Sequence, residues 1–168
     1  MEVKMTKNIL YAGFLILTLG CIGSECLADV KLSQLFGDNM VLQRDIPVPV
    51  WGWADQGEHV TVSFGNQKKS AAAGADGKWL IKLDPLIVNA VAAEMTVAGK
   101  NTLTIKNILV GDVWICSGQS NMQMPVIQSL NGKSEAESAE YPGIRMATVP
   151  CKAEDFLVED VKVSWQEC

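Results

Sequence analysis

Alternating apolar and polar positions mark residues 30–108 as a succession of short strands. Val60, Val62 and Phe64 alternate with Thr61 and Ser63, which places three apolar groups on one face of an extended run. Trp79, Ile81 and Leu83 repeat the pattern after the turn signal Ala75-Asp76-Gly77, and Leu103 with Ile105 repeats it after Gly99-Lys100-Asn101. Each face needs another to become dry, so the pattern predicts an Ig-like antiparallel β-sandwich.

Within this region Pro47 and Pro49 flank Val48 just before Val50-Trp51-Gly52-Trp53. Proline donates nothing to a strand ladder, so the run is expected at a sheet edge or as a late-joining strand. Trp51 and Trp53 share a side if the run is extended. Packing in the core or between domains is the expected role of such a pair, and a platform for stacking sugars is the alternative.

The pattern changes at Ile108. Residues Ile108-Leu-Val-Gly-Asp-Val-Trp-Ile-Cys116 are nearly continuous in apolar character, as in a parallel strand covered on both faces. Ser134-Glu-Ala-Glu-Ser-Ala-Glu140 reads as a solvated helix ended by Tyr141-Pro142-Gly143, and Ile144-Arg-Met-Ala-Thr-Val149 as a second strand. Together they predict one βαβ unit with its functional loop at the carboxyl end of the first strand. Trp165 to Cys168 begins a further element. So few strands cannot bury both sheet faces, so this second, α/β unit is expected to be truncated here, leaving an associating sheet edge.

The N-terminus adds an address. Lys4 and Lys7 precede an apolar run from Ile9 to Cys21 and the small-residue approach Cys26-Leu27-Ala28, the order of a secretory signal peptide cut after Ala28. The apolar core is shorter than the roughly 18 residues of a membrane span. The expected organisation is therefore a signal peptide over residues 1–28, a β-sandwich over 29–108 and the start of an α/β unit over 109–168. A secreted or periplasmic product is expected, with no stable membrane insertion once the signal is removed.

The formal net charge is −5, and removal of the signal leaves it unchanged because that segment carries Glu2 and Glu25 against Lys4 and Lys7. An acidic chain of this kind lacks the electrostatic footprint of a nucleic-acid binder. Cys116, Cys151 and Cys168 remain beyond the signal, with no zinc-ligand spacing. One disulfide with a free thiol, or three buried thiols, satisfies the count, and Cys116 in its apolar run is expected to be a small buried hydrophobe.

Candidate chemistry concentrates in Cys116-Ser-Gly-Gln-Ser-Asn-Met-Gln-Met-Pro125. Gly118 before Gln119-Ser120 lets a turn approach a substrate without a β-carbon in the way, and the Ser120 N–H can face a developing oxyanion. Turn closure or helix capping is the bland role for such a serine. The run is not the Gly-x-Ser-x-Gly elbow of α/β-hydrolases, since Met122 stands at the last glycine position. Asp112 is assigned to structural hydrogen bonding, Met122 and Met124 to packing, and Glu135, Glu137 and Glu140 to a solvated helix face. His59, the only histidine, starts an alternating strand and is expected to be exposed.

Gly111-Asp112-Val113-Trp114-Ile115-Cys116-Ser117-Gly118-Gln119-Ser120-Asn121-Met122-Gln123-Met124 resembles the nucleophile block of the sialate O-acetylesterase family, within the SGNH/GDSL-type hydrolases. Leu35-Phe-Gly-Asp-Asn-Met-Val-Leu-Gln-Arg44, Pro47-Val-Pro-Val-Trp-Gly52 and Tyr141-Pro-Gly-Ile-Arg145 are similar to further segments of that family. The resemblance implies a β-sandwich followed by an α/β SGNH-hydrolase domain, with Ser120 as catalytic nucleophile. It implies an ester hydrolase acting on O-acetylated sialic acid or related glycans without metal or organic cofactor. The family's base histidine and its aspartate belong to a block that this sequence does not contain, so the 168-residue chain is expected to be nearly inactive. Acetylated plant or algal polysaccharide is the alternative substrate, and a non-catalytic carbohydrate-binding module is the alternative function.

Overall fold

The computed structural model describes residues 29–150 and 155–168. The signal-peptide expectation and Cys151 lie outside the described residues. Among the described residues ten strands form in chain order: β1 Lys31–Leu32, β2 Val41–Gln43, β3 Val48–Trp53, β4 His59–Phe64, β5 Gln67–Ala72, β6 Lys78–Leu83, β7 Asn89–Ala98, β8 Thr102–Gly111, β9 Arg145–Ala147 and β10 Trp165–Glu167. Between β8 and β9 come a short helix α1, Ser120–Gln123, a 3-10 turn at Val126–Gln128, and helix α2, Gly132–Ser138.

One sheet has the order β1-β3-β6 and a second the order β2-β8-β7-β4-β5. The alternation read from the sequence is what joins them. Val60, Val62 and Phe64 on β4 and Trp79, Ile81 and Leu83 on β6 are buried, and their polar neighbours face outward. Val48 and Val50 of β3, Met95 and Val97 of β7, and Ile105 and Ile108 of β8 belong to the same core. Burial of apolar surface from both sheets is thus the main attraction between them.

Two details differ from an all-antiparallel arrangement with an edge strand at residues 48–53. β2 runs parallel to β8, with Val41 opposite Leu109 and Gln43 opposite Gly111. β3 is the middle strand of its sheet, but β1 pairs only with its last two residues, Gly52 and Trp53. Pro49 therefore lies where one side of β3 has no ladder partner. At Gly52 a β-carbon would come within 2.0 Å of the Lys31 carbonyl oxygen, so glycine is what allows β1 to approach.

The second unit departs further from expectation. The strand read as Ile108–Cys116 ends at Gly111, and residues 112–118 are irregular. Ile108, Leu109 and Val110 are buried by the two sheets, whereas Trp114 is 83% and Ile115 94% exposed, since nothing among the described residues covers them. β9 pairs antiparallel with β10, Met146 opposite Gln166, so residues 109–149 form no parallel βαβ unit. The helix lies over Gly132–Ser138, two residues earlier than its pattern suggested. A β-carbon on Gly132 would meet the Val126 carbonyl oxygen at 1.8 Å, which fixes the close turn into α2.

Candidate functional site

The candidate segment leaves the two-sheet unit under restraint. Arg44, just beyond β2, donates from Nε to Asp112 Oδ1 at 2.9 Å and from Nη2 to Asp112 Oδ2 at 3.3 Å, and Nη1 reaches Asp45 Oδ2 at 2.7 Å. Gln43 Oε1 accepts from the Val113 N–H at 2.8 Å. The Asp112 carboxylate raises the affinity of the Arg44 guanidinium for its proton, first by hydrogen bonding and then by charge. Asp112 therefore has the structural role read from the sequence, as the clamp at the start of the loop.

Ser120 is the first residue of α1 and is exposed. Gln119 precedes it with φ −109° and ψ −149°, and its side chain makes no capping bond. Met122 N–H donates to the Gln119 carbonyl at 2.8 Å, closing the turn that presents Ser120. Gly118 is exposed beside that turn, and a β-carbon on it would lie 3.3 Å from Met122 Cβ. Among the described residues no side chain hydrogen-bonds to the Ser120 hydroxyl. His59 is exposed at the start of β4, as expected, and is not joined to Ser120.

Two expectations here are corrected. Cys116 is exposed rather than buried, because the strand that was to carry it stops five residues earlier at Gly111. Met122 and Met124, expected to pack, are about half exposed, at 53% and 51%. Trp51 and Trp53 lie on the face of β3 turned away from the core and are half-buried. Trp51 meets Phe36 edge to face, with ring centroids 4.8 Å apart. It also lines a pocket of about 250 Å³ with Leu35, Val149, Val161 and Val163, so it packs one part of the chain against another.

That packing belongs to a clamp the sequence did not reveal. Asp160 accepts hydrogen bonds from Ser33 Oγ at 2.8 Å, from Gln34 N–H at 3.0 Å and from Gln34 Nε2 at 3.1 Å. Ser33 is itself buried, and Lys78 binds Glu159 at 2.8 Å. Farther along, Trp165 Nε1 donates to the Leu35 carbonyl at 3.0 Å. Only the pairing of distant segments brings these groups together, and no local sequence signal marks them.

A depression of about 470 Å³ lies beside α2, lined by Ile127, Asn131, Lys133 and Glu137 among others, and Ser120 is in neither concavity. The described residues contain no cluster of histidine, cysteine and acidic groups able to hold a metal. Among them no helix is long and apolar enough to cross a membrane.

Comparison with known proteins gives a consistent family. Sialate O-acetylesterase of Rattus norvegicus is 33% identical over 152 residues, covering 82% of this chain and 28% of the relative. The Homo sapiens protein of the same name is 34% identical over 149 residues, covering 81% and 28%. The chain thus spans little more than a quarter of the relatives it matches. A solved structure, described as a novel carbohydrate acetylesterase from Xanthomonas citri, superposes with a TM-score of 0.79 at 30% identity, covering 83% of this chain and 32% of the other. No protein-family model matches.

Proposed function

Because the chain belongs, across the four-fifths of it that match, to the sialate O-acetylesterase family, we propose that it carries the nucleophile-bearing part of an exported glycan O-acetylesterase. The proposed architecture is an Ig-like sandwich over residues 29–108 followed by the opening of an SGNH-type domain over 109–168, a division that falls within β8. The observation that carries the reading is the placement of Ser120. It is exposed at the first position of α1, in a loop clamped to the two-sheet unit by Arg44 and Gln43.

In the proposed reaction Ser120 Oγ attacks the acetyl carbonyl, its proton passes to a base, and the sugar oxygen leaves with a proton to give an acetyl-enzyme. Water then attacks the acyl carbon, acetate departs and Ser120 regains its proton. An exposed serine without a partner is a weak nucleophile at neutral pH. His59 is exposed at the start of β4 and makes no hydrogen bond to Ser120, so the base is not assigned to it. Acetylated sialic acid is the proposed substrate. The name of the Xanthomonas structure, a carbohydrate acetylesterase, supports a second reading, in which the acetyl ester belongs to another carbohydrate, with acetylated plant or algal polysaccharide as the candidate.

The test joins residues 29–168 to the carboxyl-terminal part of the rat relative and measures acetate release from an aryl acetate, an O-acetylated sialic acid and an acetylated xylan. Ser120→Ala is expected to lower release by roughly 10⁴ in a fusion that otherwise folds. A folded, active fusion indifferent to Ser120→Ala would remove the assignment, and the ranking of the two glycans chooses between the substrates.

A further inference from the structure

We propose that Asn107, Arg145 and Glu167 form an acid-releasable joint that holds the β9–β10 pair on the two-sheet unit, with Glu167 as its release point. It positions the far end of the segment whose near end Arg44 clamps, and it stands whether or not Ser120 is a nucleophile.

The joint begins with two asparagines in left-handed backbone, Asn39 at φ 68° and Asn107 at φ 57°. Asparagine adopts this region more readily than most side chains. Asn39 N–H is tied to the Lys106 carbonyl at 3.0 Å, and Asn107 Nδ2 donates to Asn39 Oδ1 at 2.7 Å. The same Nδ2 group donates to Glu167 Oε1, also at 2.7 Å, and so reaches from β8 to β10. Asn39 Nδ2 adds a longer contact of 3.5 Å to the Trp165 carbonyl. The two-sheet unit thus contributes the Asn39 and Asn107 side of a polar socket for β10.

Arg145 of β9 closes the socket. Its side chain is only 4% exposed, Nη1 is paired with Glu167 Oε1, and Nη2 donates to Asn107 Oδ1 at 3.4 Å. Arg145 is the charged group facing Glu167 from β9, while β8 and the β1–β2 connection face it with the amides of Asn107 and Asn39. A guanidinium buried to this extent depends on its carboxylate partner, since removing the counter-charge leaves an uncompensated ion. Protonation of Glu167 removes that charge without removing the side chain.

The Asn107 and Arg145 hydrogen bonds hold the Glu167 carboxyl below its ordinary range, against a smaller opposing effect of desolvation. A depressed carboxylate contributes stability that is present above its unfolded-state value and is lost as pH falls through the folded value. The joint therefore stays closed through mildly acidic conditions and opens below the ordinary carboxylate range.

The experiment measures amide protection in β9 and β10 against that in β6 and β8 in the full chain, from about pH 7 down to the acidity at which β6 and β8 themselves lose protection. In the native sequence β9–β10 protection is expected to fall first, with β6 and β8 still protected. Glu167→Gln should exchange about tenfold faster in β9–β10 at neutral pH and lose the acid step, because charge-assisted bonds become neutral ones. Asn107→Gly keeps the left-handed backbone, removes the amide, and should move release to higher pH. Native-like protection in Glu167→Gln at neutral pH overturns the proposal, as does simultaneous loss in all four strands. If Glu167→Gln does not fold, an unmoved release point in Asn107→Gly overturns it alone.

Discussion

Arg44 and Asp112 face each other as a two-bonded pair at the end of β8, Nε to Oδ1 at 2.9 Å and Nη2 to Oδ2 at 3.3 Å. The pair joins the residue after β2 to the residue after β8, and so extends by side chains the parallel register of Gln43 with Gly111. Lysine cannot reproduce a forked contact of this type. Arg44→Lys and Arg44→Ala are both expected to speed amide exchange at Val113 while leaving the thermal midpoint nearly unchanged, since the pair is solvent-exposed. Unchanged exchange at Val113 would show that Gln43 alone anchors the loop.

Gly52→Ala tests the close approach of β1 to β3. The new methyl would meet the Lys31 carbonyl oxygen at 2.0 Å and the Leu32 Cα at 2.9 Å, and neither is the end of a flexible side chain. A loss of about 1–3 kcal/mol is expected in chemical denaturation. Greater exchange at Ser33, whose N–H donates to the Trp51 carbonyl at 3.1 Å, should accompany it.

The alternation on β4 and β6 was legible in the sequence because each strand buries one face, so the chain itself records which side is dry. β5, Gln67–Ala72, was not: Gln-Lys-Lys-Ser-Ala-Ala has no strong apolar period, and its register with β4, Thr61 opposite Ser70, is set by the partner strand. At the candidate site the serine motif was legible as a turn, but the exposure of Val113-Trp114-Ile115 was not, because an apolar run does not tell whether anything lies upon it. Asp160 reaches Ser33 and Glu167 reaches Asn107 across more than fifty positions, and such pairings leave no local pattern.

Two tryptophans separate these readings. Trp79 is 2% exposed in the shared core and Trp114 is 83% exposed beyond β8. Trp79→Ala is expected to cost about 3–5 kcal/mol through lost burial and a residual cavity. Trp114→Ser should change stability by no more than about 0.5 kcal/mol and should weaken binding of an apolar dye. A large loss for Trp114→Ser would restore the covered strand through residues 112–116.

Lys78 and Glu159 give a clamp that opens in the opposite pH direction from Glu167. Lys78 Nζ lies 2.8 Å from Glu159 Oε1, and this hydrogen bond, then the charge of Glu159, raises the Lys78 ammonium above its ordinary range. A raised folded-state value means that the contribution is complete below the unfolded-state value and is lost as pH rises through the folded one. The ¹³Cε titration of Lys78 is therefore expected to have a higher midpoint than in Glu159→Gln. Loss of the contact at alkaline pH should loosen residues 159–163 while Asp160 keeps its bonds to Ser33 and Gln34, because a carboxylate gains no proton as pH rises. Coincident Lys78 midpoints in the native chain and Glu159→Gln would show that the ion pair does not hold in solution, leaving Asp160 as the anchor of that segment.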